Sequence, residues 1–240
     1  MLGKYDLCGK IALITGGAGL LGVHHAEAIL EIGGKPVIFD RDSTAVEQKR
    51  SYLENKYEQQ ILTFIGNVTD EREIIELSHE LMNTVGRVEV LINNAAVDPK
   101  VISQVGLGEA SRLESLTVER WDEEIAVGLT GAFLCSRTFG PLMAEGNGGV
   151  IVNVASDLGL IAPNQRLYRQ PNVENRDQPV KPVTYSVIKH ALIGLTRYLA
   201  TYWEGGLVRA NALCPGGVEA DQDPGFKKRL VELIPAGRMA

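Results

Sequence analysis

The sequence predicts an α/β fold, in which a single domain over residues 1–240 forms one doubly wound parallel sheet with helices on both faces. Two observations indicate this fold class. Short apolar runs alternate with longer amphipathic ones along the chain, as in strand–helix repeats around a parallel sheet. The 240 residues, 45% hydrophobic and 22% charged, are also enough to bury one substantial core.

The strands are predicted from short apolar runs that are bounded by polar or glycine-containing segments. In chain order they are Ile11–Thr15, Pro36–Phe39, Leu62–Ile65, Val88–Ile92, Val150–Val154 and Leu207–Leu213. Because helical segments separate them, we expect the strands to run parallel.

The helices are predicted from apolar residues at three- and four-residue spacing, which Ile74, Leu77, Leu81 and Val85 show clearly. The predicted helices are Gly19–Ile32, Thr44–Tyr57, Thr69–Val85, Trp121–Met143 and Val183–Trp203. The connection Val97–Leu116 interrupts this order as a mixed segment that predicts neither a helix nor a strand.

A glycine-rich turn, Thr15–Gly22, follows the first strand and opens the first helix. Glycines recur in it at every third residue, and without side chains they permit a tight turn and close approach of the backbone to a pyrophosphate. The helix N-terminus offers free amides to the phosphates. Because strand, turn and helix come in this order, the turn predicts a Rossmann-type dinucleotide site. We assign to this site Gly16, Gly19, Leu20, Leu21 and Gly22.

Asp40 ends the second predicted strand, 18 residues beyond Gly22. A carboxylate there can accept hydrogen bonds from the adenosine ribose and repels the extra phosphate of NADP. The neighbouring Arg41 weakens this inference, because an arginine can accept that phosphate. We therefore predict NAD as the cofactor, with NADP less favoured, and place both residues in the cofactor site.

Tyr185 and Lys189 lie four residues apart in a predicted helix and so share one face. A tyrosine with a pKa of about 10 is a poor base at neutral pH. A close cation favours the phenolate and makes proton exchange with an alcohol or carbonyl feasible. Ser156 follows the fifth strand at its carboxyl end, where parallel sheets bind ligands. The order of these residues after the glycine turn predicts Ser156, Tyr185 and Lys189 as the catalytic set.

Taken together, these segments make the chain resemble a classical short-chain dehydrogenase/reductase over essentially its whole length. The matching segments are Thr15–Gly22, Asp40, Asn67–Val68, Asn93–Ala96, Val152–Ser156, Tyr185–Lys189 and Pro215–Val218. The resemblance implies that Tyr185 is the general acid and base, Ser156 the substrate-orienting hydroxyl, and Lys189 the ribose anchor and pKa modulator. It further implies cofactor contacts by Asn67, Val68, Asn94, Ala95, Ala96, Pro215, Gly216 and Val218.

The chain departs from the family pattern at several positions. Gly128 stands where relatives usually have an asparagine that holds a water of the proton relay, so we expect a slower or altered relay. Ala220 stands where many relatives have a threonine that touches the cofactor. Leu20 replaces the middle glycine of the usual turn, a spacing that resembles nucleotide-sugar epimerases and dehydratases. The C-terminus is short by about one helix and one strand compared with the family.

The segment Leu160–Pro182 is a predicted loop insertion, at about 160–182, that widens the interval between Ser156 and Tyr185 beyond the family's usual spacing. The basic residues of this loop are Arg166, Arg169, Arg176 and Lys181, and they outnumber its acidic ones. Because guanidinium groups suit phosphate or carboxylate, Arg166 and Arg169 are candidate ligands of an anionic, sugar-phosphate-like substrate. An ordinary solvated loop is the alternative. The later segments resemble bacterial surface-sugar and flagellin-modification oxidoreductases.

Composition restricts the partners. The net charge is −6 without any basic run, which argues against nucleic acid. No stretch of 18 apolar residues predicts a membrane span, and the three widely spaced cysteines predict a reduced, cytoplasmic setting without a metal site. The family resemblance implies a homodimer or homotetramer.

The function predicted from all of this is an NAD(H)-dependent oxidoreductase that interconverts a secondary alcohol and a ketone, with a small-molecule, sugar-like substrate. Two alternatives stay open. The glycine spacing is compatible with an epimerase or dehydratase, and Gly128 together with Ala220 and the short C-terminus is compatible with a catalytically impaired NAD-binding subunit.

Overall fold

The computed structural model describes residues 6–97 and 111–240. Within these ranges the strands are β1 (Ile11–Thr15), β2 (Lys35–Asp40), β3 (Leu62–Ile65), β4 (Val88–Asn93), β5 (Gly149–Val154) and β6 (Val208–Leu213). The α-helices are α1 (Leu20–Glu31), α2 (Ser43–Tyr57), α3 (Glu71–Thr84), α4 (Val118–Ile125), α5 (Gly131–Ala144), α6 (Val183–Tyr202) and α7 (Pro224–Val231). The predicted connection Val97–Leu116 lies mostly at 98–110, outside the described residues.

The strands form one parallel sheet in the order β3-β2-β1-β4-β5-β6, which confirms the predicted doubly wound fold. The strand order reverses direction between β1 and β4. At such a reversal the connections leave the sheet on opposite faces, and a crevice opens at the carboxyl ends of the strands. The fold therefore fixes where a ligand site can form.

The sheet is covered on both faces at its centre, where every residue of β1 is buried, which explains the apolar run Ile11–Ile14. On β1, Ile11 and Leu13 pack with α3, α5 and α6 on one face. Ala12 and Ile14 pack with α1 and α2 on the other face. Side chains alternate between the two faces of a strand, so one short run feeds two cores.

The predicted helix Trp121–Met143 is a longer helical run that begins at Val118 and ends at Ala144. Thr117 caps its start by accepting a hydrogen bond from the Arg120 amide at 3.3 Å. Residues Ala126–Thr130 form a π-helical turn inside the run, with Gly128 buried. Such turns widen a helix locally and occur often at functional sites.

This run is the one helix among the described residues that is long and apolar enough, by length and composition alone, to cross a membrane. Its residues Leu134, Phe139 and Met143 are instead buried in the core beneath the sheet. The apolar composition thus accounts for packing against β4, β5 and α3.

Helix α7 was not predicted from the sequence. Asp223 caps it by accepting a hydrogen bond from the Phe226 amide at 2.8 Å, and Pro224 occupies its first turn. Both features favour a helix start. Its polar composition lacks the apolar spacing on which the helix predictions rested.

A cluster around Glu27 joins α1 to α2. The Glu27 carboxylate accepts hydrogen bonds from Lys56 Nζ at 2.7 Å and Tyr52 Oη at 2.9 Å, and contacts His24 Nδ1 at 2.8 Å. Hydrogen bonds from Lys56, His24 and Tyr52, of which the Lys56 bond has the largest effect, together lower the pKa of Glu27 to about 2, although burial alone would raise it. The same ion pair raises the pKa of Lys56.

We expect Glu27→Gln to destabilise the protein in a pH-dependent way. The folded-state pKa lies below the ordinary value of 4.5, so the carboxylate stabilises the fold above that pH and loses this effect as pH falls toward 2. Urea unfolding from pH 7 to 3 should show the largest difference between variant and wild type at pH 7, narrowing as pH falls. Glu80→Gln, at an exposed position on α3, is the matched control. An equal difference at all pH values would contradict this assignment.

Candidate active site

The candidate site lies at the carboxyl edge of the sheet, where the strand ends lie side by side. Thr15 at the end of β1 pairs with Asn93 of β4. Asn93 pairs with Asn153 of β5, and Val154 pairs with Leu213 of β6. The glycine turn after β1 and the segment after β5 are therefore separated by a single strand.

The glycine turn makes backbone contacts that a side chain would prevent. Gly16 has φ +60°, and a Cβ there would lie 2.8 Å from Ala95 Cα. A Cβ at Gly22 would lie 2.3 Å from the Gly16 carbonyl oxygen, because α1 begins directly against the turn. Both positions thus require glycine, for conformation or for space.

The start of α1 fits the phosphates of a dinucleotide. Gly19 is the N-cap and offers no side chain to the amides of the first turn. Leu20 is 53% exposed, and Leu21 is partly buried. Open amides at a helix N-terminus favour an anion, so the cradle suits a pyrophosphate.

Thr15 and Asn94 fix the turn to the end of β4. The Thr15 hydroxyl accepts hydrogen bonds from the amides of Asn94 and Ala95, each at 3.1 Å. The Asn94 side-chain amide donates to the carbonyl oxygens of Thr15 at 3.1 Å and Gly16 at 2.9 Å. Ala95 is partly buried beside them and Ala96 is exposed. The predicted Asn94–Ala96 segment therefore borders the turn.

Asp40 lies at the end of β2 and braces the same turn. Its carboxylate accepts hydrogen bonds from the Ala18 amide at 3.1 Å and from the Asp42 amide at 3.2 Å. These bonds hold the carboxylate beside the turn, where an adenosine ribose would lie in a Rossmann-type site. Arg41 is exposed next to it.

Asn67 and Val68 follow β3. The Asn67 side chain accepts a hydrogen bond from the Thr69 amide at 3.0 Å. Val68 is buried, and a Cβ at Gly131 of α5 would lie 2.9 Å from Val68 Cγ2. Tight packing against α5 thus fixes Val68 at the carboxyl edge.

Ser156 and Lys189 lie close together at the end of β5. Lys189 is 6% exposed, and its ammonium donates a hydrogen bond of 2.6 Å to the Val154 carbonyl, two residues before Ser156. Gly159 permits this arrangement, because a Cβ there would lie 2.6 Å from the Lys189 carbonyl oxygen. The turn after β5 therefore packs directly on α6.

The Ser156 hydroxyl is itself engaged. It donates to Asp157 Oδ1 at 2.8 Å and accepts from the Leu158 amide at 3.2 Å. A substrate oxygen that accepts a hydrogen bond from the Ser156 hydroxyl has to replace the Asp157 carboxylate as its acceptor. The sequence reading missed Asp157, since an acidic residue after a serine carries no signal of its own.

Tyr185 is partly buried, and two lysine ammonium groups lie over its ring. Lys189 Nζ is 5.6 Å from the ring centroid, as the shared helix face predicts. Lys181 Nζ is 3.6 Å from the same centroid. The sequence reading counted Lys181 only as loop charge, although it precedes Tyr185 by the same four residues by which Lys189 follows it.

Residues after β6 border the Ser156 turn. The Pro215 carbonyl accepts a hydrogen bond from the Asp157 amide at 3.0 Å. Gly216 is exposed beside Asp157, and Val218 is partly buried. The predicted Pro215–Val218 segment thus lies at the same sheet edge as the Ser156 turn.

The loop Leu160–Pro182 is docked on α7. The Arg229 guanidinium donates to the carbonyls of Leu167 at 2.7 Å and Arg169 at 3.4 Å, and the rings of Tyr168 and Phe226 lie 5.2 Å apart. The side chains of Arg166 and Arg169 are exposed. The loop therefore packs against α7 through hydrogen bonds to loop carbonyls and an aromatic contact.

Comparison with known proteins places most of the chain in two family models. Residues 10–168 match the family model described as short chain dehydrogenase, and residues 174–240 match that described as Enoyl-(Acyl carrier protein) reductase. The first match alone spans more than half of the chain.

Two curated relatives and one solved structure show the extent of the similarity. Galactitol 2-dehydrogenase of Rhizobium johnstonii is 32% identical over 216 residues, which cover 90% of this chain and 74% of that protein. D-threitol dehydrogenase of Mycolicibacterium smegmatis is 27% identical over an alignment that covers 98% of this chain and 82% of that protein. The crystal structure of a short chain dehydrogenase from Leptospira borgpetersenii with bound NAD⁺ superposes with a TM-score of 0.81 at 27% identity. The superposition covers 98% of this chain and 82% of that one.

Proposed function

The chain belongs to the short-chain dehydrogenase/reductase family, an oxidoreductase family that uses NAD(P), and from this premise we propose that it interconverts a secondary alcohol and a ketone on a polyhydroxylated, sugar-like substrate with NAD(H). One arrangement carries the proposal. The Lys189 ammonium binds the Val154 carbonyl beside Ser156, and Tyr185 lies on the same face of α6. The glycine turn, Thr15–Gly22, lies at the same edge of the sheet.

In the proposed mechanism, the glycine turn and Asp40 would hold a nicotinamide dinucleotide, which would supply the hydride-transfer chemistry when bound. Tyr185 exchanges a proton at its phenol oxygen with the substrate oxygen, and Ser156 orients that oxygen by a hydrogen bond. Lys189 is fixed by the Val154 carbonyl and stabilises the phenolate form of Tyr185 by its charge. We propose that the residues assigned to the cofactor site from the sequence contact the dinucleotide in this mechanism.

NAD rather than NADP is proposed because of Asp40. Its carboxylate is held at the end of β2 by two backbone amides, so a 2′-phosphate would meet a fixed negative charge. Arg41 keeps NADP as the alternative. Both dinucleotides therefore belong in any assay.

The substrate class is proposed from the relatives and from the loop. The relatives named above are dehydrogenases of galactitol and threitol, which are sugar alcohols. The exposed Arg166 and Arg169 support a phosphate or carboxylate on the substrate. A place in surface-sugar modification stays a prediction.

We further propose a homodimer or homotetramer, formed by one catalytic domain per chain in a cytoplasmic setting. Exposed aromatic side chains on α5 and α6 support the assembly, because large apolar groups at a surface favour contacts between proteins. These residues are Phe133, Tyr198 and Tyr202, exposed by 44%, 62% and 59%.

The test incubates the purified protein with NAD⁺ or NADP⁺ and a panel of sugar alcohols and their phosphates, following absorbance of the reduced nicotinamide. We expect turnover of at least one sugar alcohol, with a higher kcat/KM for NAD⁺ than for NADP⁺. A preference for NADP⁺ would overturn the role given to Asp40. Faster turnover of phosphorylated substrates than of their unphosphorylated forms would support the binding of a substrate phosphate by Arg166 and Arg169.

The same assay separates the alternatives. An epimerase or dehydratase changes its substrate without a net change in reduced nicotinamide. An impaired subunit binds dinucleotide, as calorimetry would record, but turns over no substrate in either direction.

A further inference from the structure

A second ammonium group lies against Tyr185, outside the motif that pairs Tyr185 with Lys189. Lys181 Nζ is 3.6 Å from the centroid of the phenol ring, closer than Lys189 Nζ at 5.6 Å. A cation within about 6 Å of a ring centroid is attracted by the negative face of the ring. The nearer of the two cations therefore comes from the loop that precedes α6.

The backbone of Lys181 is fixed, which sets where its side chain starts. The Gln165 side chain accepts a hydrogen bond from the Lys181 amide at 2.8 Å and donates to the Lys181 carbonyl at 3.4 Å. The next residue, Pro182, is buried and caps α6. The loop thus holds Lys181 in a defined position beside the helix that carries Tyr185.

The helix that carries Tyr185 and the elements packed against it contribute several charged groups. Lys189 contributes a cation from α6, and Asp157, in the turn after β5, contributes a carboxylate that binds Ser156 and the Leu158 amide. Glu124 of α4 bonds to Thr184 and to Arg120 at 2.9 Å, and so forms its own ion pair. Lys181 and Lys189 both lie over the Tyr185 ring, and each brings a positive charge to it.

We propose that Lys181 is a positioning residue that holds the Tyr185 ring and favours its phenolate form, in addition to Lys189. The physical reason is that loss of the phenol proton makes the ring more negative, so a cation on its face stabilises the ionised state more than the neutral one. This inference rests on the proposed function of Tyr185 as the proton-exchanging group. It also links the Gln165–Lys181 loop to the ionisation of that group.

The test measures the ionisation of Tyr185 directly. Protein labelled with ¹³C at the tyrosine ζ carbon is titrated by NMR, and Tyr185→Phe identifies the Tyr185 signal among the seven tyrosines. We expect Lys181→Met to raise the pKa of Tyr185 by about one unit, a roughly tenfold smaller phenolate fraction at neutral pH. Lys181→Arg, which keeps a cation able to stack on the ring, should shift it much less.

Lys35→Met removes a positive charge at the opposite end of the sheet and should leave the Tyr185 pKa unchanged. Lys181→Gln replaces Lys181→Met if the latter is poorly folded. An unchanged Tyr185 pKa in the folded, uncharged variant would overturn the role of Lys181, whether or not a substrate is turned over. If turnover is found, the acidic limb of the pH profile of kcat/KM for alcohol oxidation should move to higher pH in Lys181→Met, by the same amount as the Tyr185 pKa.

Discussion

Tyr185→Phe should lower kcat by about 10²–10⁴-fold while leaving the affinity for dinucleotide nearly unchanged. The substitution removes one hydroxyl and keeps the ring that Lys181 and Lys189 contact. Only the proton exchange with the substrate oxygen is lost, because the glycine cradle and Asp40 are untouched. Steady-state kinetics with a substrate from the panel, together with calorimetric dinucleotide binding, measure the two effects separately.

Tyr57→Phe is the control for this experiment. Tyr57 is the last residue of α2, and its hydroxyl donates a hydrogen bond of 3.3 Å to Glu31, away from the candidate site, so loss of this hydroxyl should leave kcat unchanged. A Tyr185→Phe protein that retains wild-type kcat would remove Tyr185 from the mechanism. A variant that loses dinucleotide binding as well would show that the hydroxyl holds the cofactor site together.

The fold could be predicted because its signals are local. Each strand of a sheet covered on both faces must be apolar along its length, and the completely buried β1 shows this directly. The glycine turn could be predicted because Gly16 and Gly22 meet backbone atoms that no side chain could approach. Chain order then placed Ser156 at a strand end and Tyr185 on the helix that follows.

Other features depend on which distant residues meet, and the sequence alone does not carry that information. The π-helical turn at Ala126–Thr130 keeps the apolar pattern of an ordinary helix. The contact of Lys181 with Tyr185 depends on how the loop before α6 ends, because Gln165 fixes the Lys181 backbone there. Helix α7 had a start signal in Asp223 and Pro224, but the segment is too short and polar for its spacing to be recognised.

The structure gives a steric reason for glycine at position 128. A Cβ at this position would lie 2.9 Å from Ile188 Cγ2 and 3.2 Å from Ile188 Cδ1. Ile188 is 5% exposed, packs with Ala132 and Ala155, and directly precedes Lys189. The Ile188 side chain therefore occupies the space that an asparagine at position 128 would need.

We expect Gly128→Asn to destabilise the protein by about 1–3 kcal/mol, because overpacking forces Ile188 and the adjacent turn of α6 to move. Ile188→Ala removes both clashing atoms, and alone costs about 2–5 kcal/mol through the cavity that it leaves. The double variant should be more stable than the sum of the two losses predicts. Urea unfolding of the four proteins measures this coupling, and strict additivity would contradict the steric explanation.

The same pair decides how the proton relay has to be tested. In Gly128→Asn alone, a change in activity reports the displacement of Ile188 and, through it, of Lys189, so it says nothing specific about a water held by the new amide. In the Ile188→Ala background the amide has room, and any relay function then appears as a higher kcat in the double variant than in Ile188→Ala. If kcat is equal in these two proteins while stability is recovered, position 128 acts through packing alone, and proton release in this enzyme does not need a side chain there.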